Sequence, residues 1–246
     1  MTSLSGKRAL VTGASRGIGA AIAQALAAEG ADVAITYERS AERAAEVVRD
    51  IEALGRRGLA IAADSADPDA VRRSVRAAVD TLGGLDILVN NAGIARGGPF
   101  ETMSIEDIDA ILAVNIRSVI VASQAALAHL GPGGRIINIG SCLAERVTKP
   151  GVTVYSMSKS ALISFTKGLS REVGPRGITV NIVHPGPTDT DMNPADGPQA
   201  ESQRGLMSVG HYGSADDIAA MVTFLAGPKS GQINGAGFTV DGGLNA

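Results

Sequence analysis

Short apolar runs alternate with longer stretches bearing an apolar stripe every three or four residues, and this alternation restricts the fold more than any other feature of the chain. Residues 9–12, 33–36, 59–62, 85–89, 135–139, 178–183 and 238–240 are brief and apolar, as buried strands are. Between them, Ile18, Ile22 and Leu26 mark one helix face before Gly30, and residues 41–54 have helical spacing before Gly55. Asp67-Pro68 reads as an N-cap with proline at the first helical position, ahead of the Val71, Val75, Val79 stripe. Ser104 with Asp107, and Ser214 with Asp217, have capping-box spacing and open two further helices; another runs from near 154 to 173. Strand–helix alternation of this kind implies a parallel sheet covered on both faces. The expectation is an α/β fold in one domain, 1–246, with a doubly wound, seven-stranded parallel sheet. Residues 185–213, rich in Pro, Gly, Asp and Asn, break the alternation, and a connection of that length predicts a functional lid, placed here at 187–213.

Composition narrows the function classes. With 22 basic and 25 acidic residues and no basic cluster, the chain lacks the footprint of a nucleic-acid or anionic-membrane binder. No uncharged apolar run approaches the roughly eighteen residues of a membrane helix. Cys142 is the single cysteine, so no disulfide forms within the chain. The start of the chain leaves no room for a signal peptide ahead of the first apolar run, and the expected location is the cytoplasm. His129, His184 and His211 have no metal-ligand spacing, and no metal is expected.

The turn after the first strand reads Thr12-Gly13-Ala14-Ser15-Arg16-Gly17-Ile18-Gly19. Glycines there let the backbone turn tightly and approach a pyrophosphate, and the following helix N-terminus offers free N–H groups and the positive end of its dipole. The spacing is G-x-x-x-G-x-G rather than G-x-G-x-x-G. The second strand ends at Tyr37-Glu38-Arg39. Glu38 would suit the ribose hydroxyls of NAD, whereas Arg16 and Arg39 would suit a 2′-phosphate. Neighbouring strand residues face opposite ways, so Glu38 need not face the ribose, and the balance favours NADPH.

Tyr155 and Lys159 are four residues apart in a helical stretch and so share a face. An ammonium near a phenol favours the phenolate and lowers the phenol pKa, which prepares Tyr155 to exchange a proton with a carbonyl oxygen. The fifth strand ends at Ser141, the fourth at Asn90-Asn91-Ala92-Gly93 and the sixth at His184-Pro185-Gly186. In an open α/β sheet ligands bind beyond these carboxyl ends, so the tips converge on the edge that carries the glycine turn. Ser141 is placed to hold a substrate carbonyl, or is a loop hydroxyl. Asn115, in the apolar context Leu-Ala-Val-Asn-Ile, holds a water linked to Lys159 or bonds backbone. Cys142 has no histidine placed to activate it and reads as a small pocket-lining residue.

Taken in order, these motifs resemble the short-chain dehydrogenase/reductase family over nearly the whole chain. Residues 12–19 look like its cofactor turn and residues 90–93 like its Asn-Asn-Ala-Gly segment. Asn115, Ser141, Tyr155 and Lys159 match its catalytic tetrad, residues 185–188 its nicotinamide-holding segment, and Val240-Asp241-Gly242-Gly243 its C-terminal signature. The resemblance implies a Rossmann fold and hydride transfer with Tyr155 as acid or base, Ser141 polarising the carbonyl, Lys159 lowering the tyrosine pKa and Asn115 supporting a relay water. It implies cofactor contacts from Gly13, Ser15, Arg16, Gly17, Ile18 and Gly19, from Tyr37 and Arg39, and from Asp64 and Ser65 beside the adenine. Asn91, Ala92, Gly93, Pro185, Gly186 and Thr188 would complete the contacts, with Tyr155 and Lys159 shared between cofactor and chemistry. It also implies NADPH preference through Arg16, likeness to 3-oxoacyl-[acyl-carrier-protein] reductases, and a homotetramer built on the helices of Asn115 and Tyr155.

The expected function is reduction by NADPH of a small-molecule ketone or a 3-oxoacyl thioester to a secondary alcohol. Glu145, Arg146 and Lys149, between Ser141 and Tyr155, are charged where many relatives carry small residues, and no paired basic patch for a carrier protein is evident. Two rivals stand: an NAD-dependent secondary-alcohol dehydrogenase using Glu38, and a catalytically silent dinucleotide-binding redox sensor.

Overall fold

The protein is described by a computed structural model over residues 3–246. Seven strands form one sheet: β1 (Arg8–Val11), β2 (Asp32–Tyr37), β3 (Gly58–Ala62), β4 (Ile87–Asn90), β5 (Arg135–Ile139), β6 (Thr179–Pro185) and β7 (Gly237–Val240). Their spatial order is β3-β2-β1-β4-β5-β6-β7. Every pairing is parallel, with Ala9 opposite Val33 on one side and Ile87 on the other. This is the doubly wound arrangement read from the sequence. Its crossover separates β1 from β4, which opens the crevice where such sheets bind ligands.

Pleating sends alternate side chains to opposite faces, and the core divides accordingly. Ala9, Val11, Ile137 and Ile139 pack beneath α1 (Gly17–Ala28), α2 (Ala41–Ala53) and α8 (Ala215–Ala226). Leu10 and Ile136 pack on the other face with α3 (Pro68–Leu82), α5 (Ser118–Leu127) and α6 (Thr153–Val173). Asn138 shares the second face with Ile136 and is fully buried. Its Nδ2 donates to Thr166 Oγ1 at 2.9 Å, and its Oδ1 accepts from Asn90 Nδ2 at 2.8 Å. Asn90 Nδ2 also donates to Ser123 Oγ at 3.0 Å, which ties β4, β5, α5 and α6 together through a buried polar layer, although Asn90 Oδ1 finds no protein partner.

Caps fall where the sequence places them. Asp67 accepts from Asp69 N at 2.8 Å with Pro68 at the first position of α3, and Ser214 with Asp217 closes a reciprocal capping box. Ser104 caps α4 (Ile105–Leu112), but Asp107 does not return the bond, because Arg96 engages its carboxylate. The fourth strand begins later than its apolar run, since Asp86 is drawn aside to hold Arg8 N at 3.0 Å and Nε at 2.7 Å.

Residues 105–127 also correct an expectation. Within the helix Ile105–Leu127 an 18-residue window has a mean hydropathy of 1.6, long and apolar enough by length and composition alone to cross a membrane. Acidic and basic residues interrupt its apolar run in sequence, which hid it. Its C-terminal part lies against α3 and β4, which accounts for the apolar composition. The segment after β6 is irregular apart from the short α7 (Ala200–Arg204), and a parallel bridge between Thr188 and Gly213 closes its ends.

Gly186, at the tip of β6, has no room for a side chain. A Cβ there would lie 2.5 Å from Asp241 Cα and 3.0 Å from Asp241 O, both backbone atoms. Gly186→Ala is therefore expected to cost about 1–3 kcal/mol, read as a lower urea midpoint with an unchanged slope.

Candidate active site

The glycine turn and the tip of β4 are laced together at the crevice. Thr12 Oγ1 accepts from the backbone N–H groups of both Asn91 and Ala92 at 3.0 Å. Asn91 Nδ2 donates back to Thr12 O at 2.9 Å and Gly13 O at 3.0 Å. Gly13 has φ +63°, and a Cβ on it would sit 2.8 Å from Ala92 Cα; a Cβ on Gly19 would sit 2.5 Å from Asn91 Nδ2. The first turn of α1 has no side-chain cap and no acidic residue. Bare N–H groups at a helix start, approached by side-chain-free backbone, suit the pyrophosphate of a dinucleotide. The residues present therefore fit the expected cofactor.

At the adenosine end, Arg39 is paired with Glu38 at 2.8 Å and is largely exposed, while Arg16 donates to Asp191 Oδ2 at 3.0 Å. Arg43, in the first turn of α2, donates to the same oxygen. These bonds hold the Asp191 carboxyl below its ordinary pKa, Arg43 contributing first and Arg16 second. Sequence reasoning missed Arg43 and Asp191. Arg43 stands four residues past Arg39 in a charged helix face, a pattern indistinguishable from ordinary solvated surface. Asp64 turns its carboxylate onto Ala66 N at 2.8 Å, with Ser65 beside it.

On the reaction side, α6 carries Tyr155 and Lys159 on one face, and Ser141 closes β5. Lys159 is 5% exposed, and its Nζ donates to Ile139 O at 2.9 Å. Burial of the cation lowers its pKa from 10.5 to about 8. Burial raises the Tyr155 phenol above its ordinary pKa, and the Ser141 hydroxyl opposes that rise. The expectation that Lys159 depresses the tyrosine is not met in this structure: the ammonium is directed at the β5 backbone, and desolvation dominates the phenol. Ser141 is held from behind by buried His184, whose Nδ1 lies 3.1 Å from Ser141 O. The Ser141 hydroxyl accepts from Leu143 N at 3.2 Å. Cys142, next to it, is a buried thiol pushed up to about 11, mainly by burial, and is no nucleophile near neutral pH.

Asn115 sits in a π-helical turn, Ala113–Arg117, between α4 and α5. Such turns cluster at functional sites because they push one residue out of helical register. Its Oδ1 accepts from Ile94 N at 2.9 Å, and its Nδ2 donates to Ile94 O and to Ser158 Oγ, both at 3.0 Å. The amide thus clamps the segment after β4, which settles its direct bonding in favour of backbone. Ser158 is a further partner that the sequence did not single out. A Cβ built on Gly93 would lie 3.3 Å from Lys159 Nζ and 3.5 Å from Asn115 Oδ1, so that glycine keeps open the space between them.

The tip of β6 completes the edge. Gly186 N bonds Val240 O, and Thr188 Oγ1 donates to Gly186 O at 3.0 Å. Two of the charged residues between Ser141 and Tyr155 make structural bonds: Arg146 Nη1 donates to Leu244 O at 2.7 Å, and Lys149 bonds Gln199 across to the segment after β6.

Residues 13–245 match the family described as enoyl-(acyl carrier protein) reductase. The chain is similar to a short-chain dehydrogenase of Burkholderia cenocepacia J2315 solved in complex with NADP, at 65% identity and TM-score 0.98 over 99% of this chain and 100% of that one. It is 42% identical to the cyclic-di-GMP-binding biofilm dispersal mediator protein of Escherichia coli K12, over 100% of both chains. It is 40% identical to a 3-oxoacyl-[acyl-carrier-protein] reductase of Synechocystis, over 99% of each.

The buried Lys159 generates a stability prediction. Below pH 8 the ammonium is charged in both folded and unfolded chains, and the folded state bears its full desolvation cost; between about 8 and 10.5 the folded chain deprotonates first and the cost shrinks. Lys159→Met, which removes the charge, is expected to raise unfolding free energy at pH 7 by about 1–3 kcal/mol. That gain disappears above pH 10.5, as followed by urea unfolding across pH. A variant less stable at every pH would contradict it.

Proposed function

Since the chain belongs to the short-chain dehydrogenase/reductase family of oxidoreductases, we propose that it reduces a small-molecule ketone or 3-oxoacyl thioester at the expense of NADPH, with Tyr155 as proton donor. The observation that carries the proposal is the convergence of Ser141, Tyr155 and Lys159 on the strand edge that also presents the uncapped start of α1. Bound NADPH supplies the hydride that adds to the carbonyl carbon.

The chain's own groups do the rest. Ser141, fixed by His184, donates a hydrogen bond to the carbonyl oxygen and increases its polarisation. Tyr155, with its pKa raised, is protonated at neutral pH and gives its proton to the same oxygen as the alcohol forms. Lys159 returns a proton toward the phenol and reaches the cofactor ribose; with a pKa of about 8 it exchanges protons readily near neutrality. Asn115 keeps the channel past Gly93 in shape for the relay water. Thr188 holds the nicotinamide amide, and residues 187–213 form the lid.

Arg16 and Arg43 support NADPH over NADH, because two guanidinium groups already converge on one anionic oxygen. Glu38, the acid an NAD site would use, is paired with Arg39. A phenol and a buried lysine on one face of α6 support a reductase over a binding-only role of the kind the Escherichia coli relative's name describes. The exposed Ile120 and Met157, on the helices after Asn115 and around Tyr155, support the homotetramer.

The test is loss of reduced-nicotinamide absorbance with a 3-oxoacyl thioester, a 3-oxoester, a cyclic ketone and an aryl ketone. NADPH is expected to be consumed well ahead of NADH, and Tyr155→Phe to lower kcat by about 10²–10⁴-fold while NADPH still binds. NADPH binding with no turnover of any carbonyl would favour the sensor reading. The reductive kcat/KM is also expected to decline above a pH of about 8 as Lys159 loses its proton; a flat profile to pH 10 would remove it from the relay.

A further inference from the structure

We propose that Asp191 is a specificity-determining residue that occupies the Arg16–Arg43 pair until a cofactor 2′-phosphate displaces it, so that the lid competes with the phosphate for the same two cations. This inference rests on the reading of the glycine turn as an NADPH site and concerns its adenosine end.

Three observations carry it. First, the contact is tertiary: 175 residues separate Arg16 from Asp191, and the two arginines come from different elements, the N-cap of α1 and the first turn of α2. A single oxygen, Asp191 Oδ2, accepts from both. An anion held between two guanidinium groups at the ends of β1 and β2 is what a ribose phosphate presents there. Second, the neighbouring residue seats the lid on the glycine turn: a Cβ on Gly17 would lie 3.4 Å from Thr190 Cγ2. Third, Arg39, the other arginine at this end, is itself engaged in an exposed pair with Glu38.

The consequence follows from charge. All three side chains are about half exposed, so each ion pair is weak and exchangeable. A phosphate with a charge near −2 displaces a carboxylate of charge −1, whereas NADH has no group that contests the pair. NADPH binding therefore releases Asp191, and NADH binding leaves it in place. Asp191 lowers NADPH affinity relative to a site without it and leaves NADH affinity little changed.

The experiment is fluorescence titration of NADPH and NADH into wild type, Asp191→Asn, Asp191→Glu and Asp191→Asn/Arg43→Ala, each first checked for folding by circular dichroism and Tm. Asp191→Asn is expected to tighten NADPH binding by about fivefold and to move NADH by less than twofold. Asp191→Glu retains the wild-type ratio, and the double variant loses the gain. If wild type prefers NADPH but Asp191→Asn leaves its affinity unchanged or weaker, Asp191 organises the arginines rather than competing for them, and the proposal fails alone. If neither wild type nor Asp191→Asn prefers NADPH, the phosphate role of Arg16 and Arg43 fails, and the proposal with it.

Discussion

The hydroxyl of Thr12 accepts two consecutive backbone N–H groups, those of Asn91 and Ala92, and most of the site depends on that small junction. It joins the ends of β1 and β4, the two strands between which the winding of the sheet reverses. With the return bonds from Asn91, it fixes the spacing between the glycine turn and the chain leading to Ile94. Asn115 then grips Ile94 from the helix layer. The glycine turn, the segment after β4 and the helix layer are thus connected by side-chain-to-backbone bonds at a part-buried junction. Buried polar groups are costly to leave unpaired, so the junction tolerates little displacement.

Tyr155 and Lys159, the residues proposed to react, contrast with that junction. Lys159 is a buried cation without a carboxylate, stabilised by a carbonyl, and Tyr155 is a phenol whose ionisation is opposed by its surroundings. Neither arrangement helps the fold. Together they move the two proton affinities apart, the phenol held protonated and the ammonium brought within reach of neutral pH. Perturbed titratable groups of this kind cluster at functional sites.

Much of this was legible before any coordinates. The strands, their parallel character and the convergence of their tips follow from period and punctuation, because a buried parallel strand is short and wholly apolar and its neighbours are helices. Ser141, Tyr155 and Lys159 could be named because four-residue spacing and strand-end position are properties of sequence. What escaped depends on three dimensions. The ion pairs of Asp191 join residues far apart in the chain, and the approach of Ser158 to Asn115 depends on the packing of two helices. The direction of the phenol shift could not be read either, since spacing reports that a cation is near but not how much water is excluded. The membrane-like hydropathy within residues 105–127 was hidden by the charged residues that interrupt the apolar run.

The π turn at Ala113–Arg117 carries a wider implication. It is one helix that has accepted a surplus residue: α4 and α5 continue on either side with their own buried faces, Ile111 before it and Val119, Ala122 and Ala126 after it. The amide that grips Ile94 therefore sits on a surplus residue between two helices that each keep their own buried face. A lineage that lost one residue there would keep the sheet, the layers and the dinucleotide crevice while withdrawing the amide from Ile94.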